Sequence, residues 1–449
     1  MKVVHLILAL FFIPSILVAQ NQSFIATEKA IEDINYMIKS IEEIHYNPYF
    51  KTEKEKFNTY KNELIRNFNK DSISLKHFIA TGMKISAHLS GGHTAMDWQN
   101  DRIIPELMNY YFIPFTGKLS PSDNTFIVSR SIHQDIKEGV RVKAINGISI
   151  MELYKECMAY LGGIKSYKNA YCENIFPLYL FFTNKLTPPY SVQLVDSEVH
   201  TTGLAVSEIN SFLSESQAVD NYTFDIIENK IGLITYNSCT DYDAFKGFLH
   251  QTFKEIEEKN IKKLIVDIRE NAGGDSKLND LLLSYITTKP YRQSSGRYWK
   301  VSKQAKQAFK DNNYENHFGA EFMKSYYELK NESIIESLDE ELIHPEKQDN
   351  YFNGKTCFLI GPKTFSSANF LADAVKTYKI STLIGSATGE LTNDFGEVIY
   401  FMLPNSGNYV NVSSTYDIGA NGNPNLFQPV YPDIQQEENV LEFAINWIR

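Results

Sequence analysis

Val266-Asp267-Ile268-Arg269-Glu270-Asn271-Ala272-Gly273-Gly274 carries the pattern that decides the fold: an apolar run ends in a charged turn closed by two glycines. The run begins at Lys263 and suits a strand buried on both faces. Glycines after a strand permit unusual backbone angles and can turn N–H groups toward a reacting atom. A tight strand-to-helix turn would use the same glycines without any chemistry. Working outward, Lys230 to Tyr236 reads as a strand, Asp243 to Lys259 as a helix, and a further helix begins at Leu278. Beyond them come a strand over Thr356 to Gly361, a helix over Ser366 to Tyr378 and a strand over Ser381 to Gly385. Such alternation predicts an α/β layer with mainly parallel pairing. The intervening stretch, about 289–353, is charged, aromatic and irregular, and reads as a surface insertion bearing Tyr291, Tyr298, Trp299, Phe309, Tyr314 and Phe318.

The N-terminal side has a different texture. Lys2 precedes an apolar stretch from Val3 to Ala19, broken only by His5, Pro14 and Ser15. This pattern predicts a secretory signal cleaved after Ala19, and an extracytoplasmic mature chain, periplasmic or secreted, with no membrane span. From about Thr27 to Ala87 the spacing is helical, with Ile31, Ile34, Met37, Ile38, Ile41 and Ile44 at three- and four-residue steps. A second helix covers Lys54 to Phe68, and a third, with Ser74 as a plausible cap, runs to His88. Between Ile103 and Thr202 short apolar runs are broken by turns, with strands expected at Tyr111 to Phe115 and Thr125 to Val128. Lys137 to Gly147 reads as a turn, a strand and a tight Asn146-Gly147 turn, and Met151 to Leu161 as a helix.

The chain has 449 residues, 43% of them hydrophobic and 22% charged, an ordinary globular balance that excludes a disordered or collagen-like protein. At about 150 residues per domain this length allows two to four domains. Asp and Glu outnumber Lys and Arg, 54 to 44, with no long basic run, which excludes a nucleic-acid binder because phosphate neutralisation needs clustered cations. Four cysteines cannot staple a chain of this size. Cys157 and Cys172 are close enough in sequence to pair, whereas Cys239 and Cys357 beside apolar runs read as buried thiols. No Cys/His cluster has zinc spacing, and no metal or cofactor is expected.

Two further segments carry candidate chemistry. In Gly361-Pro362-Lys363-Thr364-Phe365-Ser366-Ser367-Ala368-Asn369 a serine stands where a strand turns into a helix. Serine commonly caps helices at such a place. It can equally be a nucleophile there, with the next N–H and the helix dipole facing an oxyanion. In Gly91-Gly92-His93-Thr94 the histidine has the pKa range of a general base for a serine hydroxyl, although a lone histidine is often just a satisfied core residue.

In this order the three segments resemble the C-terminal processing peptidases, or tail-specific proteases, in the branch related to the tricorn protease core and the interphotoreceptor retinoid-binding protein repeats. Glu43 to Tyr49 is similar to the family's helical start, Lys137 to Gly147 to its PDZ-like module, and Gly232 to Ile234 to its first core strand. Leu403 to Gly407 and Pro429 to Ile434 are similar to its closing segments. The resemblance implies a multidomain α/β protein. It would have a signal peptide (1–19), an N-terminal helical domain (20–100), a PDZ-like β-rich module (101–205) and a crotonase-like (ClpP-like) peptidase core (206–449). It also implies Ser366 as nucleophile, His93 as base, and an oxyanion hole from Ser367 with Gly273 or Gly274. Protein or peptide substrates would be captured by a C-terminal tail at the module, around Gly139 and Val140.

Two departures qualify the resemblance. The Ser–Lys branch has a lysine in a Gly-Lys-Gly turn beyond the nucleophile, but Gly385 to Leu391 contains none. The tricorn-like branch has a glutamate shortly before the closing Pro-Asp, but Pro424 to Gln428 contains no carboxylate. A His-based arrangement is therefore favoured, with Glu390, or Asp394 behind it, as the nearest replacement acid. Two functions follow: a serine endopeptidase acting through an acyl-enzyme on Ser366, or a weak or inactive peptide- or ligand-binding protein on the same scaffold. The first requires His93 and Ser366 to meet in the fold.

Overall fold

The computed structural model describes residues 23–449 apart from 90, 121, 215–219, 229 and 339. The expected signal, residues 1–19, lies outside the described residues. The decisive strand, Lys263–Asp267, lies inside a six-stranded sheet. The order is Tyr222–Ile227, Ile231–Tyr236, Lys263–Asp267, Lys355–Ile360, Thr382–Gly385 and Ile434–Gln435, parallel throughout except for the first pair. Successive side chains go to opposite faces, as strand geometry demands. Leu264, Val266, Phe358 and Ile360 join a core beneath the helices Tyr242–Glu258, Lys277–Ser284 and Ser367–Thr377. Ile265, Cys357 and Leu359 pack against the C-terminal helix Val440–Ile448 on the other face.

A second sheet contradicts the reading of 289–353 as an irregular surface insertion. Ser294–Lys300 is an inner strand, flanked by Ile334–Leu338 and by Tyr409–Gly419, which in turn pairs with Asp394–Met402. Helices Lys303–Asp311, Glu315–Phe318 and Ala320–Glu328 fill most of the link. The aromatic residues that gave the stretch its loop-like texture are packing residues. Trp299, Phe309 and Tyr326 are buried, and the Trp299 and Phe318 rings lie 4.8 Å apart, edge to face.

A third sheet orders Phe115–Leu119, Phe126–Ser131, Arg141–Ile145, Tyr190–Leu194 and Glu198–Thr201, all antiparallel, with Ile148–Ser149 off its path. Asn146 and Gly147 both take positive φ, the tight hairpin turn expected of them. The strand expected at Tyr111 to Phe115 begins only at Phe115. Pro114 has no N–H to donate, and Phe112 makes a single bridge to Leu204. The expected helix at Met151 to Leu161 forms as Ile150–Met158. The 18-residue helix that follows, Lys165–Phe182, has no sequence-based counterpart above. Its second half is apolar almost all round and contains Pro177, so it lacks an amphipathic stripe. All four cysteines are buried free thiols, Cys157 and Cys172 included. No helix among the described residues is long and apolar enough to cross a membrane.

The N-terminal helices Thr27–Ile44, Lys54–Ile65 and Leu75–His88 form as expected, and Ser74 Oγ caps the third by accepting from His77 N at 3.2 Å. They are bolted to the second sheet by a buried charge. Asp33 Oδ1 accepts from Asn405 N at 3.0 Å and Asn405 Nδ2 at 2.8 Å, and Oδ2 from Ser406 N at 2.7 Å. These groups belong to the turn between Asp394–Met402 and Tyr409–Gly419, so the helix sets the hairpin. Stripping buried donors of their acceptor costs about 1–3 kcal/mol each. Asp33→Ala should therefore lower the unfolding free energy by about 2–4 kcal/mol. The check is urea denaturation, where the midpoint should fall with little change in slope. A loss below about 0.5 kcal/mol would show that Asp33 is not the tie.

Candidate active site

Ser366 stands between strand Lys355–Ile360 and helix Ser367–Thr377 with φ +53° and ψ −126°. Holding a non-glycine residue there costs on the order of 1–3 kcal/mol and requires firm surroundings. The surroundings are firm. Phe365 N donates to Asn271 O at 3.0 Å and Gly389 N to Thr364 O at 2.9 Å. Thr364 Oγ1 donates to Ile268 O at 2.9 Å and accepts from Gly361 N at 3.0 Å. Ser366 makes no side-chain cap to its helix, so capping does not account for it. The neighbouring Ser367 Oγ is occupied, donating to Gly274 O at 2.6 Å.

The glycine turn lies directly against this serine. A Cβ on Gly273, which has φ +97°, would lie 2.6 Å from Ser366 Cβ and 2.9 Å from Ser367 N. Of the two candidate donors, Gly273 N is taken by Asn271 Oδ1 at 2.9 Å. The bridge between Cys239 and Gly274 uses Gly273 O and Asp275 N, which turns the Gly274 peptide groups the other way, toward the serine turn. Gly274 N and Ser367 N are thus the two donors best placed to face a developing oxyanion. Asn271 shapes the turn from both ends, since its Nδ2 donates to Tyr236 O at 3.0 Å. Its position before a glycine pair is the only sequence signal of that role.

His93 arrives from a different part of the chain. Immediately after it, Ala95–Met96 pairs with Val410 and Asn411 of the second sheet. Asn411 Nδ2 donates to the His93 carbonyl at 2.6 Å, and Ser413 N donates to Thr94 Oγ1 at 3.3 Å. The imidazole packs on Phe365, with ring centroids 4.7 Å apart. Its Nδ1 lies 3.1 Å from Glu390 Oε1, an ion-pair contact off the axis of a good hydrogen bond. Glu390 is 4% exposed, and its other oxygen accepts from Ser366 N at 2.6 Å. One carboxylate therefore joins the serine turn to the histidine. No direct hydrogen bond between Ser366 Oγ and His93 occurs among the described residues. With Nδ1 facing Glu390, Nε2 is the nitrogen left for the hydroxyl.

The electrostatics follow from burial and these neighbours. Burial disfavours the imidazolium, but the charges of Glu390, Asp394 and Asp417 outweigh it, and the His93 pKa is raised above its ordinary 6.5. Asp394 is also raised, first by burial and then by Glu390. Its carboxylate braces the loop, accepting from Phe395 N at 2.8 Å and more loosely from Leu391 N at 3.4 Å. His45, equally buried, is pushed down to about 3 and accepts from Asn47 N, so it is a neutral packing residue against Phe395. At the module, Gly139 N donates to Val128 O and Val140 N to Lys137 O. The two donors expected to meet a substrate carboxylate are therefore engaged within the module.

A strained serine on a strand-to-helix turn, free N–H groups beside it and a histidine–carboxylate contact are the parts of a serine-type peptidase site. Residues 230–435 match the model of Peptidase family S41, a family of serine-type peptidases, and this match supports the likeness to the C-terminal processing peptidases. The fold is shared with solved structures of CPAF. A CPAF mutant is 13% identical with a TM-score of 0.68, over 93% of this chain and 95% of that one. Mature CPAF is 13% identical with a TM-score of 0.63, over 93% and 94%. At this identity the likeness establishes the fold alone. Among curated proteins none matches the chain.

The closeness of Gly273 to the serine yields a sharp expectation. Gly273→Ala should keep the protein folded but displace the Ser366 turn, reducing peptidase turnover by about 10²-fold or more. Steady-state cleavage of a fluorogenic peptide reads this out. Full activity in the alanine variant would mean that the turn tolerates movement at the serine.

Proposed function

We propose that the chain is an extracytoplasmic endopeptidase that cleaves protein or peptide substrates through an acyl-enzyme on Ser366. The observation that carries the reading is the single Glu390 carboxylate touching both the Ser366 N–H and His93 Nδ1. In this reading His93 Nε2 takes the Ser366 proton as Oγ attacks the scissile carbonyl. Glu390 orients the ring and stabilises the imidazolium that forms. Gly274 N and Ser367 N hold the oxyanion, each such donor being worth about 10²–10³ in rate. His93 then gives the proton to the leaving amine, and water releases the acyl group by the reverse sequence. The antiparallel module is proposed to guide the substrate's C-terminal tail by strand addition, through groups other than the engaged donors of Gly139 and Val140. The expected signal at residues 1–19 supports the extracytoplasmic location.

A catalytically idle binding scaffold is the weaker reading. It drew on the missing lysine and glutamate and on the aromatic stretch at 289–353, and those rings are spent on packing. Glu390 also supplies the acid whose absence from 424–428 favoured that reading.

Ser366→Ala should abolish cleavage of an unstructured protein and prevent labelling by a serine-directed fluorophosphonate. Cleavage that survives this substitution would refute the nucleophile. The pH dependence gives a separate check. A base must be neutral, so kcat/KM should rise with pH through the His93 pKa, with the inflection above about 6.5. Glu390→Gln removes the largest charge that raises this pKa and leaves the burial that lowers it. The inflection should move to lower pH while the plateau drops by about 10²–10⁴-fold. An unmoved inflection would exclude Glu390 as the partner of the base.

A further inference from the structure

We propose that Tyr167, on the helix Lys165–Phe182 that packs on the antiparallel module, is a positioning residue for Ser366, His93 and Glu390 together. The inference rests on the peptidase reading above and adds a residue that no motif marks. The Tyr167 ring stacks on Phe365, with centroids 4.5 Å apart and planes 22° from parallel. Phe365 is the residue before Ser366, and its ring also packs on His93 at 4.7 Å. The Tyr167 ring reaches the acid's loop as well, since a Cβ on Gly389, the residue before Glu390, would lie 3.1 Å from Tyr167 Cδ2. One side chain thus meets the neighbours of the serine and of the acid, and through Phe365 it backs the base.

The backbone around the ring is equally close. A Cβ on Gly162 would lie 2.6 Å from Gly91 O. One on Gly92 would lie 2.7 Å from Phe365 Cζ and 3.7 Å from Gly163 Cα. One on Gly389 would lie 2.2 Å from Pro362 O. Glycines from the histidine turn, the loop before the Tyr167 helix and the loop before Glu390 therefore converge on the Tyr167–Phe365 stack. Stacked aromatic rings are rigid and directional, so a ring here fixes both distance and angle. The structure makes Tyr167 a wall of the site and gives its hydroxyl no part in the chemistry. Through it the module contributes to the geometry of the reacting groups.

The test compares Tyr167→Leu, which keeps bulk but loses the stack, with Tyr167→Phe, which keeps the ring. Both are measured beside the parent on one fluorogenic peptide across pH, with the urea midpoint as a control for folding. Misplacing reacting groups by about 1 Å can cost 10²-fold. The expected result for folded Tyr167→Leu is a fall in kcat of at least about tenfold with KM within about twofold. Its acid limb should move down toward the ordinary imidazole value, because water admitted beside His93 screens the Glu390 charge. Tyr167→Phe should restore most of the rate and the parent's acid limb. A folded leucine variant with the parent's kcat, a change confined to KM, or an unmoved acid limb would overturn the proposal. Loss of the ring's benefit in the phenylalanine variant would overturn it too, by moving the role to the hydroxyl. A parent that neither cleaves nor labels at Ser366 would sink the peptidase reading, and the proposal with it, distinguishably from those outcomes.

Discussion

The Glu390 carboxylate is the constraint on which the site depends. It is buried, it accepts from Ser366 N, and it faces His93 Nδ1. A buried carboxyl group is costly unless its polar atoms find partners, and these contacts give each of its oxygens one. They also tie together segments that the chain keeps far apart. The serine turn comes from the parallel sheet, the histidine turn from the end of an N-terminal helix, and the glutamate from the loop leading into the second sheet. Removing the serine turn's N–H or the imidazole would leave the Glu390 carboxylate buried with a partner missing. The contact therefore couples the stability of the site to its assembly.

The second sheet is the frame that makes the contact possible. Strand Tyr409–Gly419 pairs with Ala95–Met96, which places the histidine turn, and with Asp394–Met402, whose first residue follows the glutamate loop. Within it a half-buried cation holds neighbouring strands together. Arg297 binds Asp417 and contacts Glu397 at 3.0 Å, with its guanidinium over the Trp299 ring. Asp417 lies near enough to His93 to help raise its pKa. The packing of this sheet and the electrostatics of the base thus share a residue. The segment read as a peripheral insertion supplies Arg297 and Trp299, so it belongs to the frame.

What could be read in the sequence followed from local signals. The parallel strands were legible because burial on both faces leaves unbroken apolar runs. The helices from Thr27 and from Tyr242 were legible because a stripe at three- and four-residue steps survives in the sequence. The turns that carry Ser366, His93 and the glycine pair were legible because turn chemistry is local. The long hairpin of Asp394–Met402 and Tyr409–Gly419 was not, because its partners are distant and its pattern is interrupted by Gly396 and by Glu397, which takes a positive φ. Tyr167 was invisible for the same reason. An aromatic residue in an aromatic-rich helix carries no mark of the ring it will meet, and only the fold brings Phe365 to it.

In the proposed reading, the position of Glu390 shows how a role can persist when its expected residue is missing. The resemblance places a glutamate shortly before Pro432-Asp433, yet 424–428 contains no carboxylate. That segment instead holds the glutamate's loop from behind. Thr392 N donates to Gln428 O at 2.8 Å, and Thr392 Oγ1 donates to Leu426 O at 2.8 Å. On the other side of Glu390, Thr388 N donates to Val430 O at 3.1 Å, and Val430 N donates to Thr388 Oγ1 at 3.0 Å. Leu391, next to Glu390, bridges to Pro429. The closing segment therefore flanks the acid's loop on both sides and supports it with backbone, while the paired loop supplies the carboxylate. For a base oriented by a carboxylate, the direction from which the charge arrives matters, and the segment that delivers it does not.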